Sequence, residues 1–265
     1  MKCETEIGRY EIKFALPVSL RTTILDLVGP EAVPDPYARP FGDGRYGYHV
    51  HSLYFDTATL SDYFERLDRR PIRNRLRVRT YGQGPEGQPV FLENKRKSGK
   101  WVVKHRAQVC DASQWCASDD DRPWSAFAEK VSGRQAFAAQ SFCTLVDGKN
   151  RSPVSVVHYE REVFVPRKDV GFKVRLTLDY GVAATISPSP ASLFAAPDIK
   201  LLPDDVMVME LKYERRAPAW MKELCRVLQL RATPLSKFGL SVAKGLRGSR
   251  TREISCLLPK LSVAA

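Results

Sequence analysis

Alternation of charged and apolar residues constrains this chain more than any other feature. From Arg73 to Tyr81 the odd positions read Arg73, Arg75, Arg77, Arg79 and Tyr81, with Leu76 and Val78 between them. Side chains alternate across a strand, so one face is a ladder of guanidiniums and the other is apolar. The same division sets Lys173, Arg175, Thr177 and Asp179 against Phe172, Val174, Leu176 and Leu178, and sets Glu11 and Lys13 against Tyr10, Ile12 and Phe14. Glu93, Lys95 and Lys97 share a face, as do Lys104 and Arg106, Tyr159 and Arg161, and Glu210 and Lys212. A sheet with one wet side explains any single strand of this kind. Seven together, with Arg and Lys dominating, point further, because adjacent like charges repel unless an anion neutralises them. The planar guanidinium fork suits phosphate oxygens, and lysine supplies point charge.

The chain is long enough, at 265 residues, for a substantial core. Its 42 Lys+Arg against 30 Asp+Glu give a formal net charge of +12, which makes a polyanionic partner plausible without choosing among nucleic acid, membrane and phosphorylated small molecules. Period-two segments cover Tyr10 to Phe14, His49 to Phe55, Arg73 to Tyr81, Val90 to Lys97, Trp101 to Val109, Val154 to Val165, Phe172 to Asp179, and Val206 to Tyr213. Helical spacing covers Val18 to Val28, Thr57 to Leu67, Trp124 to Ala139, Ala219 to Leu230, and Ser236 to Leu246, with Pro123 and Pro218 at possible helix starts. The glycine- and proline-rich run from Gly82 to Pro89 reads as a hairpin connection, and Ser187 to Asp205 as a surface excursion. Strands outnumber helices, so an antiparallel α+β fold is expected, and the length allows one large domain or two modest ones.

Several function classes recede. Six cysteines lie scattered, without a Cys-x-x-Cys pair or zinc-type spacing, and read as buried thiols of a reducing cytoplasm. Neither a signal-like h-region nor an apolar run of about 18 residues is present, so no transmembrane segment is expected. Gly148-Lys149 precedes Asn150 and makes no phosphate-binding loop. His49 and His51 share a face but have no third ligand at suitable spacing, the four tryptophans read as packing residues, and Asp119-Asp120-Asp121 reads as a solvated loop. If the sheet closes, its charged faces would line a lumen with helices outside. Glu11, Glu93, Asp179 and Glu210 would then sit among cations, either as salt-bridge partners or as ligands of Mg²⁺ or Mn²⁺, with Glu210 the first candidate.

At this point the residues resemble a known group. Arg9-Tyr-Glu-Ile-Lys13, Ser52-Leu-Tyr-Phe-Asp-Thr57, Arg75-Leu-Arg-Val-Arg-Thr-Tyr-Gly82, Leu92-Glu-Asn-Lys-Arg-Lys97, Lys104-His-Arg106, Tyr159-Glu-Arg161, Arg175-Leu-Thr-Leu-Asp179, Met209-Glu-Leu-Lys-Tyr213 and Ser236-Lys-Phe238 run in order from Arg9 to Gly245. Together they resemble the VTC (vacuolar transporter chaperone) polyphosphate polymerase domain, a CYTH-like branch of the triphosphate tunnel metalloenzymes. The resemblance implies a closed antiparallel β-barrel forming a basic tunnel, with helices packed outside, in one domain spanning 1–265 with its core about 9–245. It implies that Lys13, Arg77, Arg79, Lys95, Lys104, Arg161, Arg175, Lys212 and Lys237 are phosphate ligands, that Tyr159 and Ser236 hydrogen-bond phosphate oxygens, and that Glu210 holds the metal. Ser236 also reads as a helix N-cap, a role compatible with the first.

One departure stands out. The hydrolase branch begins Glu-x-Glu-x-Lys, whereas this chain has Arg9 at the first glutamate position, leaving Glu11 and Lys13. The missing carboxylate favours the polymerase branch and leaves Glu11's role open. The expected reaction is transfer of the terminal phosphate of ATP to a growing inorganic polyphosphate chain, with release of ADP and with Mn²⁺ or Mg²⁺ as cofactor. ATP and polyphosphate are thus the expected partners, with no specific nucleic acid. A metal-dependent triphosphatase and a non-catalytic polyanion-binding module remain alternatives.

Overall fold

The computed structural model describes residues 9–98 and 101–245. In chain order its elements are β1 (Arg9–Pro17), α1 (Arg21–Val28), β2 (Ala32–Pro34), β3 (Arg39–Pro40), β4 (Tyr46–Asp56), α2 (Ser61–Leu67), β5 (Ile72–Tyr81), β6 (Pro89–Ser98), β7 (Trp101–Asp111), α3 (Ala112–Cys116), α4 (Pro123–Ala128), α5 (Ala136–Gly148), β8 (Ser152–Pro166), β9 (Val174–Ile186), β10 (Ile199–Lys200), β11 (Val206–Glu214), α6 (Ala219–Val227) and α7 (Lys237–Gly245). The pairs β1–β11, β11–β9, β10–β9, β2–β8, β3–β4, β4–β5, β5–β6 and β6–β7 are all antiparallel. The expected α+β class and the eight long strand segments are therefore present.

Two compact units, each discontinuous in sequence, divide the chain. Among the described residues the first takes 9–48, 159–182 and 201–245. Its ladders follow the order β1-β11-β9-β8, and β2 adds to β8. Phe14, Leu176, Leu178, Met207, Met209 and Leu211 point to one side of this sheet and pack with Ile24 and Val28 of α1 and Met221 and Leu224 of α6. The second unit takes residues 49–158 and 183–200, and its ladders follow β8-β4-β5-β6-β7. Leu53, Phe55, Leu76, Val78 and Leu92 pack there with Trp115, Trp124 and Phe142 of the helices. The strand order is an open path ending at β1 and β7, and no described ladder joins those two strands. On that point the expected closed barrel is corrected to an open ladder.

Local chemistry explains the boundaries. The helix expected over Trp124 to Ala139 is two helices: α4 begins with Pro123 at its first turn, and the chain breaks before α5 at Gly133, whose φ of +64° suits glycine. A capping box starts α3, in which Asp111 accepts from the Ser113 amide while Gln114 accepts from the Asp111 amide. The turn after β5 carries Gly82 at φ +86°. Gly47 answers to a different demand, since a Cβ there would lie 2.0 Å from the carbonyl oxygen of Arg161. Only glycine permits that approach of backbones, and it fixes β4 against the residue that carries the Arg161 side chain. The tryptophans at 115 and 124 are buried, as expected, while the side chain of Trp101 lies outside the described residues.

Candidate functional site

In the second unit, β-sheet register converts the sequence ladder into rows. Arg75 lies opposite Lys95, which lies opposite Lys104; the next row is Arg77, Glu93 and Arg106. Ser52 and Tyr54 of β4 face Arg79 and Arg77. Glu93, only 1% exposed, is the hub. Arg77 contacts it through Nε and Nη2 at 2.7 and 2.6 Å, Lys104 Nζ at 2.6 Å and Arg106 Nε at 3.2 Å. Arg77 also donates to the Tyr54 hydroxyl at 3.1 Å, and Arg79 Nε donates to Ser52 Oγ at 3.0 Å. Arg106 stacks over Phe91 at 3.5 Å from the ring centroid.

The electrostatics follow from that crowding. Burial by itself would raise the Glu93 carboxyl, yet Arg77, Arg79 and Lys104 hold it well below the usual carboxylate range. The Tyr54 phenol is brought down to about 7, because Arg77 and Arg79 outweigh its burial. Desolvation lowers the Lys104 ammonium against the opposing pull of Glu93, although 35% of its side chain remains exposed and solvent screens part of the effect. Counting Arg75, Arg77, Arg79, Lys95, Lys104 and Arg106 against Glu93, cations outnumber the acid by six to one on these rows. Such an excess attracts a multiply charged anion.

In the first unit a second cationic cluster forms around two buried acids. Asp179 on β9 receives Arg161 Nε and Nη2 at 2.6 and 2.8 Å, and also Lys237 from the start of α7. Burial would raise its carboxyl, but Arg161 and Lys237 hold it at about 2. Glu210 on β11 faces Lys212 Nζ at 2.8 Å, with Lys13 Nζ and Arg161 Nη2 each at 3.8 Å. Those cations overcome its burial and keep it well below the usual range. Lys212 is pushed down to about 8 by desolvation, which Glu210 only partly offsets. Register places Glu11 of β1 opposite Lys212 and Lys13 opposite Glu210, so neighbouring rows exchange sign.

The expected residues thus have distinct placements. Lys13, Arg161, Lys212, Lys237, Glu210 and Tyr159 gather in one cluster. The Tyr159 contribution described is its ring face, 5.1 Å from the Arg161 guanidinium carbon and 4.6 Å from Lys237 Nζ. Arg77, Arg79, Lys95 and Lys104 gather in the other. Arg175 lies opposite Lys212 in the ladder, but its guanidinium reaches Asp35 at 3.5 Å and its side chain is 45% exposed. Ser236 Oγ accepts from the Gly239 amide at 3.1 Å, which is the N-cap role. Sequence reasoning assigned no role to Ser52, Tyr54 or Arg75; the signal was available in the register of β4 on β5 and in the Arg ladder. It also missed His158, whose Nδ1 lies 2.8 Å from that of His51. Among the described residues no three His, Cys, Asp or Glu side chains gather as a metal site.

A search of curated proteins finds no significant match. Among solved structures, the chain is similar to a putative adenylyl cyclase from Hippeastrum described as revealing a dominant triphosphatase activity, at 18% identity and a TM-score of 0.48, with 88% of this chain and 95% of that chain covered. It is also similar to a putative adenylate cyclase from Vibrio parahaemolyticus at 10% identity and a TM-score of 0.45, with 89% and 99% covered. The VTC domain family model matches residues 8–245, and the chain belongs to the VTC domain family.

Proposed function

We propose that this protein is a polyphosphate polymerase that transfers the terminal phosphate of ATP to the end of an inorganic polyphosphate chain and releases ADP. The observation that carries this reading is the cation ladder of β5, β6 and β7, continuous over successive rows with the single acid Glu93 at its hub. Same-face residues recur about every 7 Å along a strand, so the rows of Arg75, Arg77 and Arg79 extend over about 14 Å, and Arg73 with Lys97 continues them outward. A path of repeated cation rows suits a linear anion longer than one triphosphate.

In this mechanism Arg77, Arg79, Lys95 and Lys104 bind and orient phosphate oxygens. Lys13, Arg161, Lys212 and Lys237 do the same in the cluster around Glu210 and Asp179, with Arg175, Tyr159 and Ser236 at its margins. The attacking group is a terminal oxygen of the polyphosphate chain. As it bonds to the γ-phosphorus, the bond from that phosphorus to the β–γ bridging oxygen breaks, and ADP leaves with the electron pair. Charge building on the transferred group's oxygens is met by guanidinium and ammonium groups that buried acids already hold in place within each cluster, Glu93 in one and Asp179 with Glu210 in the other. No protein nucleophile is needed.

For a divalent ion the donor set offers one strong candidate, Glu210, whose oxygens already face Lys212, Lys13 and Arg161. Mg²⁺ or Mn²⁺ would take Glu210 as its one carboxylate and phosphate oxygens for the rest, the mode hard cations adopt with nucleotides, and would compete for that carboxylate with Lys212, Lys13 and Arg161. The ion would neutralise charge shared between phosphates. A hydrolytic reading draws less support, because Arg9 stands where the hydrolase branch carries its first glutamate, removing a carboxylate that could help to activate water. Incubation with ATP and Mn²⁺ distinguishes the two: long-chain polyphosphate with ADP supports the polymerase, and orthophosphate with ADP as the sole products refutes it.

A further inference from the structure

We infer that the exposed face formed by α2 and the start of β5 is a docking surface for an anionic lipid bilayer. Phe64, Leu67 and Ile72 are 47%, 40% and 54% exposed, and the segment between them carries Arg66, Arg69 and Arg70, followed by Arg73. Phe64 and Leu67 are three residues apart on a helix and share a face. Arg73 Nη1 donates to the Arg66 carbonyl at 3.3 Å, which brings the beginning of β5, and Ile72 with it, against the end of α2. Arg96 and Lys97 of β6 lie opposite Asn74 and Arg73 and extend the charge. Two acids lie on the segment, Glu65 and Asp68, and Glu65 is already engaged by Lys149 at 2.9 Å.

The exposure is built in. The Asp56 carboxylate accepts the amides of Asp62 and Tyr63, and buried Asp62 pairs with buried Arg151 through two hydrogen bonds of 2.7 and 2.9 Å. These contacts pin the Asp62–Tyr63 side of α2 inward and turn Phe64 and Leu67 out. A left-handed backbone at Arg69, φ +54°, ends the helix, with the Arg70 amide closing onto the Glu65 carbonyl at 2.9 Å. Glycine is the usual residue there, so the chain keeps a cation where the backbone alone favours none.

Guanidiniums beside protruding apolar side chains are the pattern of an interfacial membrane contact: the cations meet anionic headgroups while the apolar tips enter the boundary below them. A nucleic acid would satisfy the arginines and leave Phe64, Leu67 and Ile72 without a role. Arg73 and Lys97 also stand at the outer end of the proposed phosphate path, whereas Phe64, Arg66, Leu67, Arg69, Arg70 and Ile72 lie outside it, and the test changes only residues of this second group.

The test is co-sedimentation of the full chain with phosphatidylcholine vesicles, pure or mixed with phosphatidylglycerol. Binding is expected to the mixed vesicles alone and to weaken as salt rises. Phe64→Asp with Ile72→Asp is expected to weaken it about tenfold or more. Arg69→Gly is expected to weaken it about fivefold while leaving the melting temperature unchanged or raised, which separates docking from folding. No sedimentation with either vesicle, unchanged binding in the Phe64/Ile72 variant, or retention of single-stranded RNA without retention of vesicles would overturn the proposal.

Discussion

Replacing Glu93 by Gln keeps the side chain's shape and removes the charge that holds Arg77, Lys104 and Arg106 together. Breaking a buried ion pair by neutralising one partner typically costs about 3–5 kcal/mol. Arg77 is 18% exposed and Lys104 and Arg106 are 35% and 36% exposed, so water compensates part of the loss. The lower figure, about 3 kcal/mol, applies, and for a chain of this size it corresponds to a fall in melting temperature of about 6–12 °C. Tripolyphosphate should reverse much of that fall. At a hundred times its Kd a ligand stabilises the wild type by about 2.7 kcal/mol, and the variant should gain more at the same concentration because a competing anion has gone from its site. Thermal denaturation with and without tripolyphosphate, at low and high salt, reads both quantities. A Glu93→Gln protein that melts within about 2 °C of wild type, or gains less from tripolyphosphate than wild type does, would refute the view of Glu93 as an internal counterion for a polyanion site.

Three other perturbations probe different parts of the account. Gly47→Ala places a methyl against the Arg161 carbonyl, where 2.0 Å is available, and should cost about 3 kcal/mol in urea denaturation while weakening tripolyphosphate binding. Lys212, brought down from 10.5 to about 8, should lose its charge as pH rises through 8, so tripolyphosphate affinity should fall between pH 7 and 9.5 and do so less in Lys212→Arg. Its sign for stability is opposite: the unfolded chain holds this proton between pH 8 and 10.5 and the folded chain does not, so this residue's penalty on folding is relieved as pH rises across that window. Glu210→Gln should retain tripolyphosphate binding and lose ATP turnover with Mn²⁺; normal turnover would remove Glu210 from the metal's donor set.

Much of this architecture could be read from residue order because alternation is a local property. Arg73 to Tyr81 displays its two faces without reference to any other segment, and the same holds for Tyr10 to Phe14 and Val206 to Tyr213. What could not be read is which face meets which. The placement of Glu93 opposite both Arg77 and Arg106 depends on a register set by turns and by packing of Leu76, Val78 and Leu92. The pairing of Asp179 with Arg161 and Lys237 joins residues 18 and 58 positions away. The break in the helix expected over Trp124 to Ala139 was missed because apolar spacing continues across the connection after Ala128, where α4 has already ended and Gly133, at φ +64°, begins the turn that leads into α5. The family resemblance implied Arg175 as a phosphate ligand, but its ion pair with Asp35, a residue in a short loop with no periodic signal, could not be read from the sequence.

Calorimetric titration of tripolyphosphate tests the central claim most directly, with wild type, Arg77→Glu and Arg161→Glu compared at two salt concentrations. Wild-type binding should be tight and should weaken steeply with salt, and each charge reversal, read on protein that still melts cooperatively, should weaken it by removing the anion affinity of its own cluster. Equal affinity in all three proteins, or affinity indifferent to salt, would contradict the assignment of these cation clusters to a phosphate chain.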